Sequence, residues 1–145
     1  MIEEGLRTLL LAESTVTGLV DQTKGGEFKG VYVDDAPQGS PFDYVLITNL
    51  DDSHNNTLEG GDYTGAGAMH VAEIDIDCKS RTPGAAKALA SAVIAYLADY
   101  SGAAGSQTIL AVVFQDRTSG VEPATSGEGH SVHVETLDFL IQYRP

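Results

Sequence analysis

Apolar and polar positions alternate most regularly between Ala68 and Leu97. His70, Ala72, Ile74, Ile76 and Cys78 fall on one face, and Val71, Glu73, Asp75 and Asp77 on the other. A period of two marks a strand with one buried face. Lys79, Ser80 and Arg81 interrupt the alternation. Thr82 then stands where an N-cap belongs and Pro83 at the first helical position, where its missing N–H costs nothing. Ala86, Leu89, Ala90, Val93, Ile94 and Leu97 follow at three- and four-residue steps, the stripe of an amphipathic helix. The pattern predicts a helix to about Tyr100, stopped by Gly102 and about 27 Å long at the standard rise.

The other elements are placed against this strand and helix. Residues 1–12 read as a helix striped by Ile2, Leu6, Leu9 and Leu10. Glu3 and Glu4 suit its positive end, and Gly5 weakens it. Ser14 can cap a short helical turn carrying Val16, Leu19 and Val20. Residues 21–30 read as a loop, Val31–Val33 as a short strand, and Asp34–Pro41 as turn chemistry. Phe42–Leu50 reads as a strand with Phe42, Tyr44, Leu46 and Leu50 on one face and Val45 and Ile47 on the other. Thr108–Phe114 suits an interior strand. Ser131–Tyr143 reads as the last strand, with Leu137, Phe139, Ile141 and Tyr143 sharing one face and Asp138, Leu140 and Gln142 the other. Residues 51–67 and 115–130 are polar and Gly-rich. They are expected to be long loops, and 51–67 to become ordered against a partner. The element order predicts a single α+β domain over 1–145, with a mainly antiparallel sheet, an N-terminal helix and one long helix packed on it.

Composition narrows the function. The chain has 145 residues, 42% of them hydrophobic and 7% aromatic, with no Trp, so aliphatic packing must build the core. Asp and Glu number 21 against 8 Lys and Arg, for a net charge of −13. Such a chain repels nucleic acid and anionic membranes rather than binding them. The one cysteine, Cys78, permits no internal disulfide and sits on an apolar strand face, so a buried, inert thiol is expected. The sequence shows no signal-peptide pattern and no membrane-spanning run, which points to a reducing cytosol or an assembly made there.

Candidate chemistry is sparse. Glu73, Asp75 and Asp77 put three carboxylates on one strand face, neighbours about 7 Å apart. Such a row offers hard oxygen ligands for Ca²⁺ or Mg²⁺, but no loop geometry closes around an ion. A solvated or channel-facing surface is the simpler expectation. His54, His70, His130 and His133 raise zinc, yet the three-residue step from His130 to His133 points them to opposite strand faces, and no second Cys joins Cys78. No G-x-S-x-G elbow is present. Gly65-Ala66-Gly67 precedes a strand rather than a helix, so it fails as a dinucleotide fingerprint. No catalytic, cofactor or metal residue is assigned, and the chain is expected not to be an enzyme.

Taken together, the pattern resembles the tail-completion (tail-terminator, head–tail joining) proteins of long-tailed bacteriophages and prophages. Four stretches carry the resemblance. They are the opening helix Leu6–Ala12 with Val16–Val20; Val31-Tyr32 with Ala36-Pro37-Gln38-Gly39 and Pro41 leading into Tyr44–Ile47; Ala72–Cys78 running into Ala85–Ala90 with Val93 and Leu97; and the closing strand Leu137–Tyr143. The resemblance implies an α+β fold and a ring of identical subunits, commonly six. It also implies a place at the head-proximal end of the tail, where the ring stops tube growth and meets the head connector. Its implied partners are its own copies, the tail-tube protein and a head-completion or connector protein. The resemblance further implies a location in the neck or tail of the virion, and in the host cytoplasm during assembly. DNA would pass through without specific binding, with Glu73, Asp75 and Asp77 as the candidate channel-lining face. Two alternatives stand beside this reading. One is another neck or head-completion connector subunit; the other is a small metal-binding, hydrolase-like module.

Overall fold

The computed structural model describes residues 1–21, 29–37, 42–55, 69–123 and 131–145, with His54 and Asn55 described by backbone alone. In chain order the elements are α1 (Ile2–Ala12), α2 (Ser14–Thr17), β1 (Val31–Val33), β2 (Tyr44–Asn55), β3 (Met69–Ser80), α3 (Pro83–Leu97), β4 (Gly102–Ala104), β5 (Gln107–Glu122) and β6 (Val132–Arg144). The strands form one sheet in the order β1-β2-β3-β6-β5-β4. Only the β1–β2 pair is parallel. This is the α+β architecture that the element order implied.

β3 is the axis of the sheet. Its odd-numbered side chains are half-buried, whereas Ala72, Ile74, Ile76 and Cys78 are fully buried. Register carries that face across the sheet. Ile76 pairs with Ile47 of β2 and Leu137 of β6, and Ile74 with Phe139. α3 packs on the same face, burying Ala86, Leu89, Ala90, Val93 and Leu97. α1 covers its β1 side, reaches β4, and buries Ile2, Leu6, Leu9 and Leu10.

The α3 N-terminus forms as its residue types dictate. Thr82 Oγ1 accepts from Ala85 N at 3.3 Å with Pro83 in the first turn, and Ser80 Oγ accepts from Thr82 N at 3.2 Å. Lys79 and Ser80 do not break the strand, because β3 continues through both and Ser80 is buried.

Several expectations are corrected. α3 ends at Leu97, because Asp99 turns the chain with φ 63°; Gly102 is no helix stop but opens β4 with φ 138°. The small turn α2 is capped by Glu13 rather than Ser14, the Glu13 carboxylate accepting from Thr15 N, and Leu19 stays exposed beside buried Val16 and Val20. On β2 the core face carries Val45 and Ile47, because they pair with Cys78 and Ile76, while Leu50 is exposed at a bulge.

The two supposed loops are shorter than expected. Residues 51–55 extend β2 along β3, and residues 115–122 extend β5 along β6. What remains of those loops, 56–67 and 124–130, lies outside the described residues, as does most of the 21–30 loop. Gly5 has a positive reason to be glycine: a Cβ there would sit 2.5 Å from the Ala104 carbonyl oxygen, so α1 and β4 can approach only without one.

Candidate functional site

The helices cover one face of the sheet, and among the described residues no helix covers the other. That second face carries the acidic row. Glu73, Asp75 and Asp77 all point to it, alternating with the core residues of β3. The register then brings in acids that are distant in sequence. Asp75 lies between Thr48 and Asp138, and Asp138 lies opposite Asp116 of β5. Glu73 lies between Asp51 and Leu140, and Asp77 between Leu46 and Thr136. The result is an acidic field two-dimensional in extent, with Asp75, Asp138 and Asp116 in a line across the strands.

Asp138 was legible on the outward face of the last strand. Asp51 and Asp116 were missed because their segments read as loops. Only non-local pairing makes them strand residues.

Crowding shows in the electrostatics. The Asp75 carboxyl is pushed above the ordinary aspartate range, first by burial and then by the neighbouring charges of Asp138, Asp77 and Glu73. Asp77 is relieved by Thr136, whose hydroxyl donates to Oδ1 at 2.8 Å. Asp138 Oδ1 is buried and finds no hydrogen-bond partner among the described residues. At one end of the field Lys79 of β3 reaches Glu122 of β5 at 3.1 Å across β6, where Val134 and Val132 are their respective register partners. Among the described residues no three His, Cys, Asp or Glu side chains converge in a metal-holding group.

The histidines do not gather. His70 and His133 stand at opposite ends of the β3–β6 pair, opposite Tyr143 and Ser80. His130 and the His54 side chain lie outside the described residues. His70 is buried at 3% exposure and stacks on Tyr143, with Nδ1 3.5 Å from Asp52 Oδ1. The Tyr143 hydroxyl donates to the other Asp52 oxygen at 2.5 Å. These groups line a cleft of about 420 Å³ with Glu3, Asn49 and Gln107, and among the described residues no Ser, Thr or Cys lines it. Cys78 is fully buried, and burial raises its thiol far above the reactive range. No helix among the described residues is long and apolar enough to cross a membrane.

The structure is thus a sheet backed by helices on one face, with crowded carboxylates on the other. The family model for tail completion protein gp17 matches residues 4–137, nearly the whole chain, and the protein belongs to that family of structural phage tail proteins. Among solved structures, it is similar to a chain in the virion of a native gene transfer agent particle. The TM-score is 0.54 at 18% identity, over 97% of this chain and 92% of that one, which establishes the shared fold. No curated protein matches the chain significantly. The protein is thus a structural component of a phage-type tail.

Proposed function

We propose that this chain closes the tail tube as a ring of identical subunits, commonly six, and joins the tail to the head connector. The observation that carries this reading is the acidic sheet face, which no helix among the described residues covers, in a chain of the tail-completion family. In a ring, Glu73, Asp75 and Asp77, together with Asp51, Asp116 and Asp138, line the channel through which DNA passes. Carboxylate walls repel phosphates and keep DNA sliding, whereas basic walls would hold it through counterion release. The tolerance of a raised Asp75 beside Asp138 fits a surface selected for its charge rather than for stability.

The channel role is tested by changing Glu73, Asp75 and Asp77 together to Lys and measuring DNA delivery from assembled particles. Delivery should slow and become strongly salt-dependent. Rings that pass DNA at the normal rate and salt dependence would reduce the row to a solvated face.

A further inference from the structure

Strand lengths in this sheet are mismatched at both edges. β1 pairs with only Val45–Ile47 of β2, so among the described residues Thr48–Asn55 has β3 on one side and no strand on the other. β4 pairs with only Gln107–Ile109 of β5, and Asp99 N donates to Val112 O just beyond. From Val113 to Glu122, β5 has β6 as its one strand neighbour among the described residues. Among the described residues, each stretch therefore presents a row of backbone donors and acceptors with no strand partner.

Natural proteins guard such edges with prolines, charged side chains (lysine above all), inward-pointing charges, bulges or a covering element. Neither stretch contains Pro or Lys. The one cation, Arg117, turns inward to Glu135, Ser91 Oγ and the Lys87 carbonyl. Bulges at Leu50 and Gln115 add twist but leave most of both edges regular. Large apolar side chains also lie exposed on these stretches: Leu50 at 54%, Val113 at 49% and Val121 at 58%. A lightly guarded edge with exposed apolar side chains is a strand-pairing surface.

We infer that the occupant of each edge is the other edge, on a second copy of this chain. β2 and β5 run in opposite directions, since three antiparallel steps separate them. Joining β5 of one copy to β2 of the next therefore continues the antiparallel pattern. The two edges are different surfaces on opposite sides of the subunit, so the contact is head-to-tail and propagates into a ring. The free stretches are offset along the strand direction, Thr48–Asn55 lying at the His70 end and Val113–Glu122 extending to the Ser80 end. A step of this kind between neighbours is what a closed, tilted sheet requires. Asp51 and Asp116 lie on the same sheet face, so pairing would carry the acidic face from one copy to the next. The inference rests on the ring reading above and specifies how its subunits meet.

Paired cysteines test it in the whole protein, both concentrated in solution and in assembled particles. D51C is combined in turn with V113C, D116C and T118C, which share its sheet face, and with S119C and V121C, which face the other way. Within one chain the two strands are about 14 Å apart, three strand spacings, too far for a disulfide, so every cross-link must join two copies. Buried Cys78 stays silent. The expected result is a ladder of cross-linked multimers with one or two of the same-face partners and none with S119C or V121C. Multimers seen by light scattering without any same-face cross-link would overturn edge pairing while leaving the ring intact. A single-subunit mass in solution, with no ring in particles, would overturn the ring reading itself.

Discussion

At the scale of single residues, packing and charge make opposite demands on β3. Its core face is closed: Ile76 is fully buried against Ile47 and Leu137. Ile76→Ala should cost about 2–5 kcal/mol, read from the urea midpoint at unchanged slope. A shift below about 0.5 kcal/mol would place that face outside the core. Gly5→Ala tests the α1–β4 approach. Helix propensity alone favours Ala by about 1 kcal/mol. The 2.5 Å clash with the Ala104 oxygen should reverse the sign, for a net loss of about 1–3 kcal/mol. Asp75 lies on the other side of the ledger. Its folded-state carboxyl is raised, so the folded protein binds the proton more tightly than the unfolded chain does. The resulting penalty is fully present above the raised value, and it is relieved as pH falls toward the ordinary aspartate range. Asp75→Asn should therefore raise the urea midpoint near neutral pH, with the gain shrinking as the solution is acidified. A gain that grows on acidification would mean that the carboxylate is stabilised in the fold.

At the scale of elements, the far half of β5 depends on a side-chain tie to α3. Glu135 is buried at 2% exposure and accepts from Ser119 Oγ at 2.8 and 2.9 Å and from Arg117 Nε at 3.5 Å. Arg117 in turn donates to Ser91 Oγ and the Lys87 carbonyl on α3. Arg117→Ala leaves a buried carboxylate with Ser119 as its remaining described partner. It should cost about 1–3 kcal/mol and speed amide exchange in 116–122 ahead of β3. Uniform exchange across both strands would show that the tie is not local. This segment also shows where sequence reading stopped. β3 and α3 were legible because local rules agree there, with alternation, a Thr cap, Pro at the first position and a clean stripe. Residues 115–122 read as a loop because Asp, Ser and Gly favour turns. They form a strand because β6 lies alongside, a pairing between segments far apart in the chain. β4, three small residues, was missed for a related reason: its identity lies in admitting Gly5 of α1, not in any periodicity of its own. Asp51 and Asp116 joined the acidic face only with those strands.

At the scale of the whole molecule, the sheet divides the protein into a packed side and a charged side. The packed side explains the fold, with two helices closing over aliphatic strand faces. The charged side explains the composition, since a net charge of −13 is concentrated in part where Asp75, Asp138 and Asp116 line up across strands. The packing alone does not call for that line; the proposed DNA-conducting ring would. The central claim is that this chain completes the tail, and it is tested most directly by electron microscopy of particles assembled without it. The account predicts tails of uncontrolled length and heads left unjoined, both restored when the chain is supplied. Joined particles with tails of normal length, formed in its absence, would contradict the account.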